Sequence, residues 1–310
     1  MTSTVEQAHQ GLTLENAVLQ LIVRPDLGGR IDKLLDRQTK YDWLWHPKDY
    51  DSSQQRSLTV GASFDEHWTG GWDEVFPNDT AGLFQNRNLV DHGELWSQAW
   101  QVVETSKLGV KLTYQCQTVP VMVEKTIRLD QTQPEAQIEY QFQNQSDQTI
   151  PFLFKQHAAL AIEEGDEILL PDCLIEPVDL GFSKIIGRQE KTRFPKAFAP
   201  DGREIELQLI PPSSSQLQEF YYCSNLAIGP CGIRSRRSQS SLVMKFDKSD
   251  FPYVWVFQSY GGWRGHYVLV LEPCTNIPYD LEVAWSNGTA ALLKPQEVQL
   301  RSLSIHIKHS

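Results

Sequence analysis

The sequence lacks long hydrophobic runs. Its longest apolar stretches, such as Tyr267 to Leu271 and Tyr253 to Phe257, are strand-length, far short of the roughly 20 residues that a helix needs to cross a bilayer. A membrane-spanning helix is excluded, and no membrane partner is expected. The opening residues MTSTVEQAHQG are polar, contain an acid, and lack the basic and apolar regions of a secretory leader, so a cytoplasmic protein is expected. Paired cysteines are also missing: Cys116, Cys173, Cys223, Cys231 and Cys274 form an odd set with no CxxC and no regular spacing. That pattern fits reduced, mostly buried thiols better than a disulfide framework or a zinc site, and no structural metal is expected. Positive charge is scarce, with 28 Lys and Arg against 39 Asp and Glu and a net charge of -11. Such a chain repels phosphate backbones, and its one basic cluster, Arg234, Arg236 and Arg237, has no interleaved aromatics to stack bases. Nucleic acid is therefore not an expected partner, and a strongly anionic substrate would need a local basic pocket.

Helical periodicity is scarce too. What the chain does contain is a succession of strand-length segments that alternate or run apolar: Val110 to Gln115, Val121 to Leu129, Ala136 to Phe142, Ile150 to Leu160, Leu242 to Phe246, Tyr253 to Phe257 and Val298 to Ile307. Their enrichment in β-branched and aromatic residues predicts strands. Turn clusters between them, such as Asp130 to Pro134 and Asn144 to Gln148, predict antiparallel hairpins and meanders. The expected fold is all-β, a large antiparallel β-sandwich. A chain of 310 residues that is 40% hydrophobic can bury one large core, so a single domain over residues 1–310 is expected. The basic, Pro-interrupted stretch from Gly181 to Gly202 has no clear period and reads as an irregular excursion.

Six of the nine tryptophans, Trp43, Trp45, Trp68, Trp72, Trp96 and Trp100, fall in the first third of the chain, several beside polar residues. Sugars stack their C–H faces on aromatic rings while planar polar side chains bond the hydroxyls, so the cluster suits a carbohydrate cleft. Core packing is the competing reading for each Trp, above all for Trp43 and Trp45 in their strand-like run. The segment WTGGWDEVFPND, Trp68 to Asp79, joins a double glycine to three acids and an amide; DHGELW, Asp91 to Trp96, sets a histidine before a glycine. KQH, Lys155 to His157, lies inside the apolar PFLFKQHAALAI, where polar groups are costly to bury without a partner. LEPCT, Leu271 to Thr275, places Glu272 at the end of an apolar run, directly before a proline. A buried carboxylate and an imidazole are the minimum set for paired acid-base catalysis.

Taken in order, LGGRI (Leu27 to Ile31), Trp43-Leu44-Trp45, GGWDEVFPN, DHGELW, KQHAAL, LEPCT and LKPQE (Leu293 to Glu297) resemble the landmarks of the aldose 1-epimerase (galactose mutarotase-like) family, from about Leu19 to Ile307. The resemblance implies a galactose mutarotase-like supersandwich that interconverts the anomers of a hexose without a cofactor. It implies His157 as the acid that protonates the ring oxygen, Glu272 as the base that takes the anomeric proton, and His92 as a second, substrate-holding histidine. Asn78, Asp73, Trp72, Trp96 and Arg264 are the further candidates for sugar contacts. An Asn-Arg pair near the first histidine has no clean match, because Asp79 follows Asn78; Asp172, Asp179 and Asp201 all compete for the family's hydroxyl-binding aspartate. Two rival readings use the same fold or the same groups: a non-catalytic sugar-binding or regulatory protein, and a hexose-6-phosphate epimerase, for which Arg30, Arg87 and Arg264 are the available phosphate ligands. A third treats His92, His157 and Glu272 as an iron site, but lacks the close histidine spacing of such motifs.

Overall fold

The computed structural model describes residues 11–309; most of the polar amino-terminal stretch lies outside them. Two large antiparallel sheets account for most of the architecture. The first has eleven strands, in the order Leu12–Glu15, Leu19–Arg24, Arg30–Asp36, Trp72–Val75, Lys155–Ala161, Tyr267–Cys274, Tyr253–Tyr260, Leu217–Ser224, Leu174–Pro177 and Thr192–Arg193, with Tyr41–Asp42 added beside Arg30–Asp36. The second has eight: Glu167–Leu169, Pro230–Ser235, Ser240–Phe246, Val298–His309, Glu135–Asn144, Val121–Leu129, Gly109–Gln115 and Gln101–Thr105. The α-helices among the described residues are short, Phe64–His67 and Leu281–Ser286. No helix of the described residues is long and apolar enough to cross a membrane. The all-β sandwich expected from alternation is the observed fold.

Period-two alternation explains how the sheets pack. Leu21, Ile31, Leu160, Leu269 and Leu271 of the larger sheet meet Leu112, Ile127, Ile138 and Ile305 of the smaller one in a common buried core. Intervening residues of the larger sheet turn to its other face, where Phe64, Trp68, Trp96, Ala159, Val268 and Val270 form a separate apolar cluster. Within the main core, the sheets are joined by polar bonds as well. Lys125 of the smaller sheet pairs with Glu74 of the larger, and the Tyr140 hydroxyl donates to the same carboxylate at 2.6 Å.

The predicted strand Ile150 to Leu160 is interrupted. Ile150–Phe152 pairs with Ala291–Leu293 in a small ladder, and Lys155–Ala161 joins the large sheet. At the break, Leu153 N–H donates to the Pro77 carbonyl and Phe154 N–H to Thr275 Oγ1. An unbroken apolar run cannot reveal such an exchange of partners. The Gly181 to Gly202 excursion carries short ladders, including Lys196–Phe198 against Glu204–Glu206. All five cysteines are buried and free.

Candidate functional site

On the outer face of the larger sheet, a cavity of about 200 Å³ is lined by His92, His157, Glu272, Lys155 and Asp79, with Phe64, Asp65, Trp68, Phe182, Phe220, Phe257 and Trp263 around them. Alternation selects the strand residues that reach it. In KQHAALA, Lys155 and His157 share the outer face, while Gln156 turns inward to accept the Trp72 indole N–H at 2.8 Å. On the neighbouring antiparallel strand, Lys155 lies opposite Cys274 and Ala158 opposite Leu271. The same register sets His157 across from Glu272, beside Pro273, which has no N–H to give the ladder. Facing residues on adjacent strands carry their Cβ atoms roughly 5 Å apart, so sheet register alone brings imidazole and carboxylate together.

Loops supply the rest. Gly93, at φ 61°, passes so close to the Phe76 carbonyl that a Cβ would lie 2.0 Å from its oxygen. The adjoining His92, itself left-handed at φ 53°, donates its backbone N–H to the Asp79 carbonyl at 2.6 Å. Its ring is held by Asp91 Oδ1 at 2.8 Å on Nδ1, with Asp79 Oδ1 3.5 Å from Nε2. Gly70 makes a similar close approach: a Cβ there would meet the Trp45 carbonyl oxygen at 2.0 Å. That contact fixes the turn after Trp68.

The electrostatics centre on Lys155, which is 2% exposed. Its Nζ lies 2.6 Å from Glu272 Oε2, 2.9 Å from Asp79 Oδ1 and 4.4 Å from the Trp255 ring centroid. The flanking carboxylates hold its pKa above the ordinary lysine value despite burial. Burial pushes the Glu272 carboxyl up, and the Lys155 ammonium opposes that push. His157 goes well below its ordinary 6.5, because burial and the nearby Lys155 both disfavour a second positive charge. The resting cavity thus holds a neutral imidazole across from a carboxylate tied to an ammonium.

Of the eight candidate residues, His157, Glu272 and His92 line this cavity together, and Arg264 stands at its rim. The Arg264 guanidinium lies 4.9 Å from the Trp263 ring centroid and donates to the Asp65 carbonyl. The other four do not reach it. Trp72 is a correction: it belongs to the core between the sheets because alternation points it opposite to Asp73. Asp73 and Trp96 line an adjoining cavity of about 250 Å³ that shares Trp68 and contains Arg30. Burial there raises the Asp73 pKa to about 7, against the pull of Arg30. Asn78 is a loop clamp, its amide donating to the carbonyls of Thr80 and Val90 at 2.8 and 2.7 Å. Asp172 pairs with Arg193 and Asp201 with Arg203 at the surface, and Asp179 accepts the Gly181 N–H; the aspartates that line the cavity are Asp79 and Asp65. Arg30 is tied to Asp32 at 2.7 Å. Lys155 and the phenylalanine walls had only weak sequence signals, the lysine's being a charge inside an apolar strand. Among the described residues, no group of three His, Cys, Asp or Glu side chains is disposed to hold a metal ion.

No protein-family model and no curated protein matches the chain. Solved structures do. A Synechocystis protein is similar with a TM-score of 0.71 at 14% identity, over 97% of this chain and 96% of that one. A galactose mutarotase-like protein from Lactobacillus casei gives a TM-score of 0.68 at 14% identity, over 96% and 99%. A galactose mutarotase related enzyme from Lactobacillus acidophilus gives 0.68 at 14% identity, over 97% of each chain. The chain has the galactose mutarotase-like fold.

Proposed function

We propose that the protein is an aldose 1-epimerase that interconverts the α and β anomers of a hexose. The observation that carries this reading is the placement of Glu272 and His157 on facing strand positions in one aromatic-walled cavity. Glu272 takes the proton of the anomeric hydroxyl, and the O–H electrons become the second bond of the C1 aldehyde. The C1 to ring-oxygen bond breaks, and His157 protonates the departing ring oxygen. Rotation about C1–C2 followed by the reverse transfers closes the ring on the other face. An imidazolium in surroundings that lower its pKa is a strong acid, suited to the weakly basic ring oxygen, but it is scarce at neutral pH. The alkaline limb of the pH–rate profile should therefore lie below the ordinary histidine value of about 6.5.

Trp68, Trp263 and Phe257 provide faces for sugar C–H groups, and His92 a polar contact. The volume is below the roughly 300–1,000 Å³ of sites for drug-sized ligands, in keeping with a monosaccharide. Lys155 is matched by two carboxylates and Arg264 is bonded to Asp65, which favours an unphosphorylated sugar over its 6-phosphate. A cytoplasmic protein with reduced cysteines fits this role.

The test is polarimetry or NMR of freshly dissolved α-glucose, α-galactose and their 6-phosphates, with wild-type protein, Glu272→Gln and His157→Gln. Wild type should speed mutarotation, and each variant should slow it by about 10²- to 10⁴-fold while Glu272→Gln still binds sugar. Sugar binding with mutarotation at the buffer rate would replace the epimerase by a non-catalytic sugar-binding protein.

A further inference from the structure

We propose that Lys155 is a positioning residue for the acid-base pair, holding the Glu272 carboxylate ionised and aimed at the substrate through a polar chain of His92, Asp79, Lys155 and Glu272. The inference rests on the reading of Glu272 as general base. Its geometry is direct. Asp79 Oδ1 lies between His92 Nε2, at 3.5 Å, and Lys155 Nζ, at 2.9 Å, and the same Nζ reaches Glu272 Oε2 at 2.6 Å. The lysine stands two residues before His157, on the same face of the strand and diagonal to Glu272 across the ladder, so the strand itself delivers the ammonium to the base.

A base buried to 1% exposure is disfavoured in its charged form. Left alone, Glu272 would hold its proton and could not take another from a hydroxyl. An ammonium in contact opposes that preference, and the Trp255 face beneath Lys155 stabilises the cation without competing for the carboxylate. Lys155 stays protonated between its two carboxylates. It therefore has no lone pair with which to attack the open-chain aldehyde or to act as base itself, and its effect passes through Glu272. The charged and titratable groups around Glu272 are Lys155, Asp79 and His92. Lys155 also faces His157, Asp91 and the Cys274 thiol. Burial keeps that thiol neutral. Asp79 draws on the same ammonium and repels Glu272, so it works against ionisation of the base and sets how strongly Lys155 acts.

Two variants pull Glu272 in opposite directions. Lys155→Met removes the cation and should raise the Glu272 titration midpoint by about 1–3 pH units. Asp79→Asn leaves the ammonium to Glu272 alone and removes a neighbouring negative charge, so the midpoint should fall. The readouts are the carboxyl ¹³C titration of Glu272, assigned by its loss in Glu272→Gln, and the acid limb of kcat/KM for mutarotation, which should move in the same sense. A Lys155→Met protein that folds, loses activity or stability, and keeps both the titration and the acid limb in place would make Lys155 merely structural and overturn the proposal. Should Lys155→Met fail to fold, Asp79→Asn decides alone: a downward shift supports the proposal, and an unchanged or upward one overturns it. A wild-type protein that does not catalyse mutarotation sinks the epimerase reading instead, and the ¹³C titration still decides whether Lys155 sets the charge of Glu272.

Discussion

The phenyl ring of Phe64 lies parallel to the imidazole of His92, with ring centroids 4.1 Å apart and planes within 6°, and it meets His157 edge-on at 5.0 Å. One apolar side chain from a single helical turn thus braces both histidines of the cavity. Its own position is pinned by the Phe64 N–H, which donates to Asp91 Oδ2 at 2.9 Å, while Asp91 Oδ1 holds the His92 ring. Phe64→Ala should cost about 3 kcal/mol of stability, near the lower end for a buried phenylalanine because a cavity already lies beside it. Freed to turn, the histidines should lower kcat/KM by on the order of tenfold. Urea unfolding and mutarotation kinetics measure the two effects. A stability loss with unchanged kinetics would show that the histidines keep their orientation without the ring.

Gly93 offers a sharper backbone test. A Cβ at this position combines a left-handed φ with a 2.0 Å approach to the Phe76 oxygen, whereas Gly61, at φ 88°, would meet nothing closer than Val90 at 3.5 Å. Gly61→Ala should therefore cost only the backbone term, about 1 kcal/mol. Gly93→Ala should cost at least twice that and displace His92, weakening sugar binding. Equal costs in denaturant melts would mean that the Phe76 loop moves away freely.

How far the site could be read in the sequence follows from what each residue reports. His157 and Glu272 announce themselves because a polar group inside an apolar strand demands a reason, and motif order separates them from other such groups. The strand pattern gives the fold for the same reason, since alternation is local. Trp72 misleads: an aromatic beside an acid signals a cleft or a core equally, and only its partner strand decides which face is inward. Asn78 misleads because an amide in a turn bonds its own loop as readily as a ligand. The ion pair of Asp79 with Lys155 joins segments far apart in the chain, and no spacing rule connects them. Of the aspartates considered, Asp172, Asp179 and Asp201 turned to surface partners, while Asp79 took the place beside the base.

The polar bridge between the sheets carries its own consequence. Lys125 and Glu74 are both fully buried, and Lys125 also donates to the Gly29 carbonyl at 2.9 Å. Lys125→Met leaves the Glu74 carboxylate unpaired and should cost about 3–5 kcal/mol, whereas a double variant with Glu74→Leu should recover much of that loss, because a buried pair owes most of its apparent value to the penalty of breaking it. Denaturation midpoints of the two single variants and the double variant form the cycle. Additive losses would show that the two charges do not depend on each other.

His157 should leave a signature in the pH dependence of folding. In the unfolded chain it takes up a proton near the ordinary histidine value of about 6.5. In the folded protein, burial comes first and the Lys155 and His92 neighbours second in driving its pKa well below that value. The buried Nδ1 has no hydrogen-bond partner on another residue, and the residue's own backbone favours the charged ring less than burial and the neighbouring charges disfavour it. Between the two pKa values the unfolded state binds more protons, and stability rises with pH wherever that holds. The contribution of the neutral imidazole is thus complete above about 6.5 and is lost as pH falls toward the folded value, with a limiting slope of about 1.4 kcal/mol per pH unit. His157→Gln carries no titrating group, so its unfolding free energy should fall less steeply over the same window. Carboxylates shared by the two proteins cancel to first order in the difference. Urea melts from neutral pH down to about pH 5 measure it, and parallel curves would show that the imidazole accepts its proton in the folded protein as readily as in the unfolded chain.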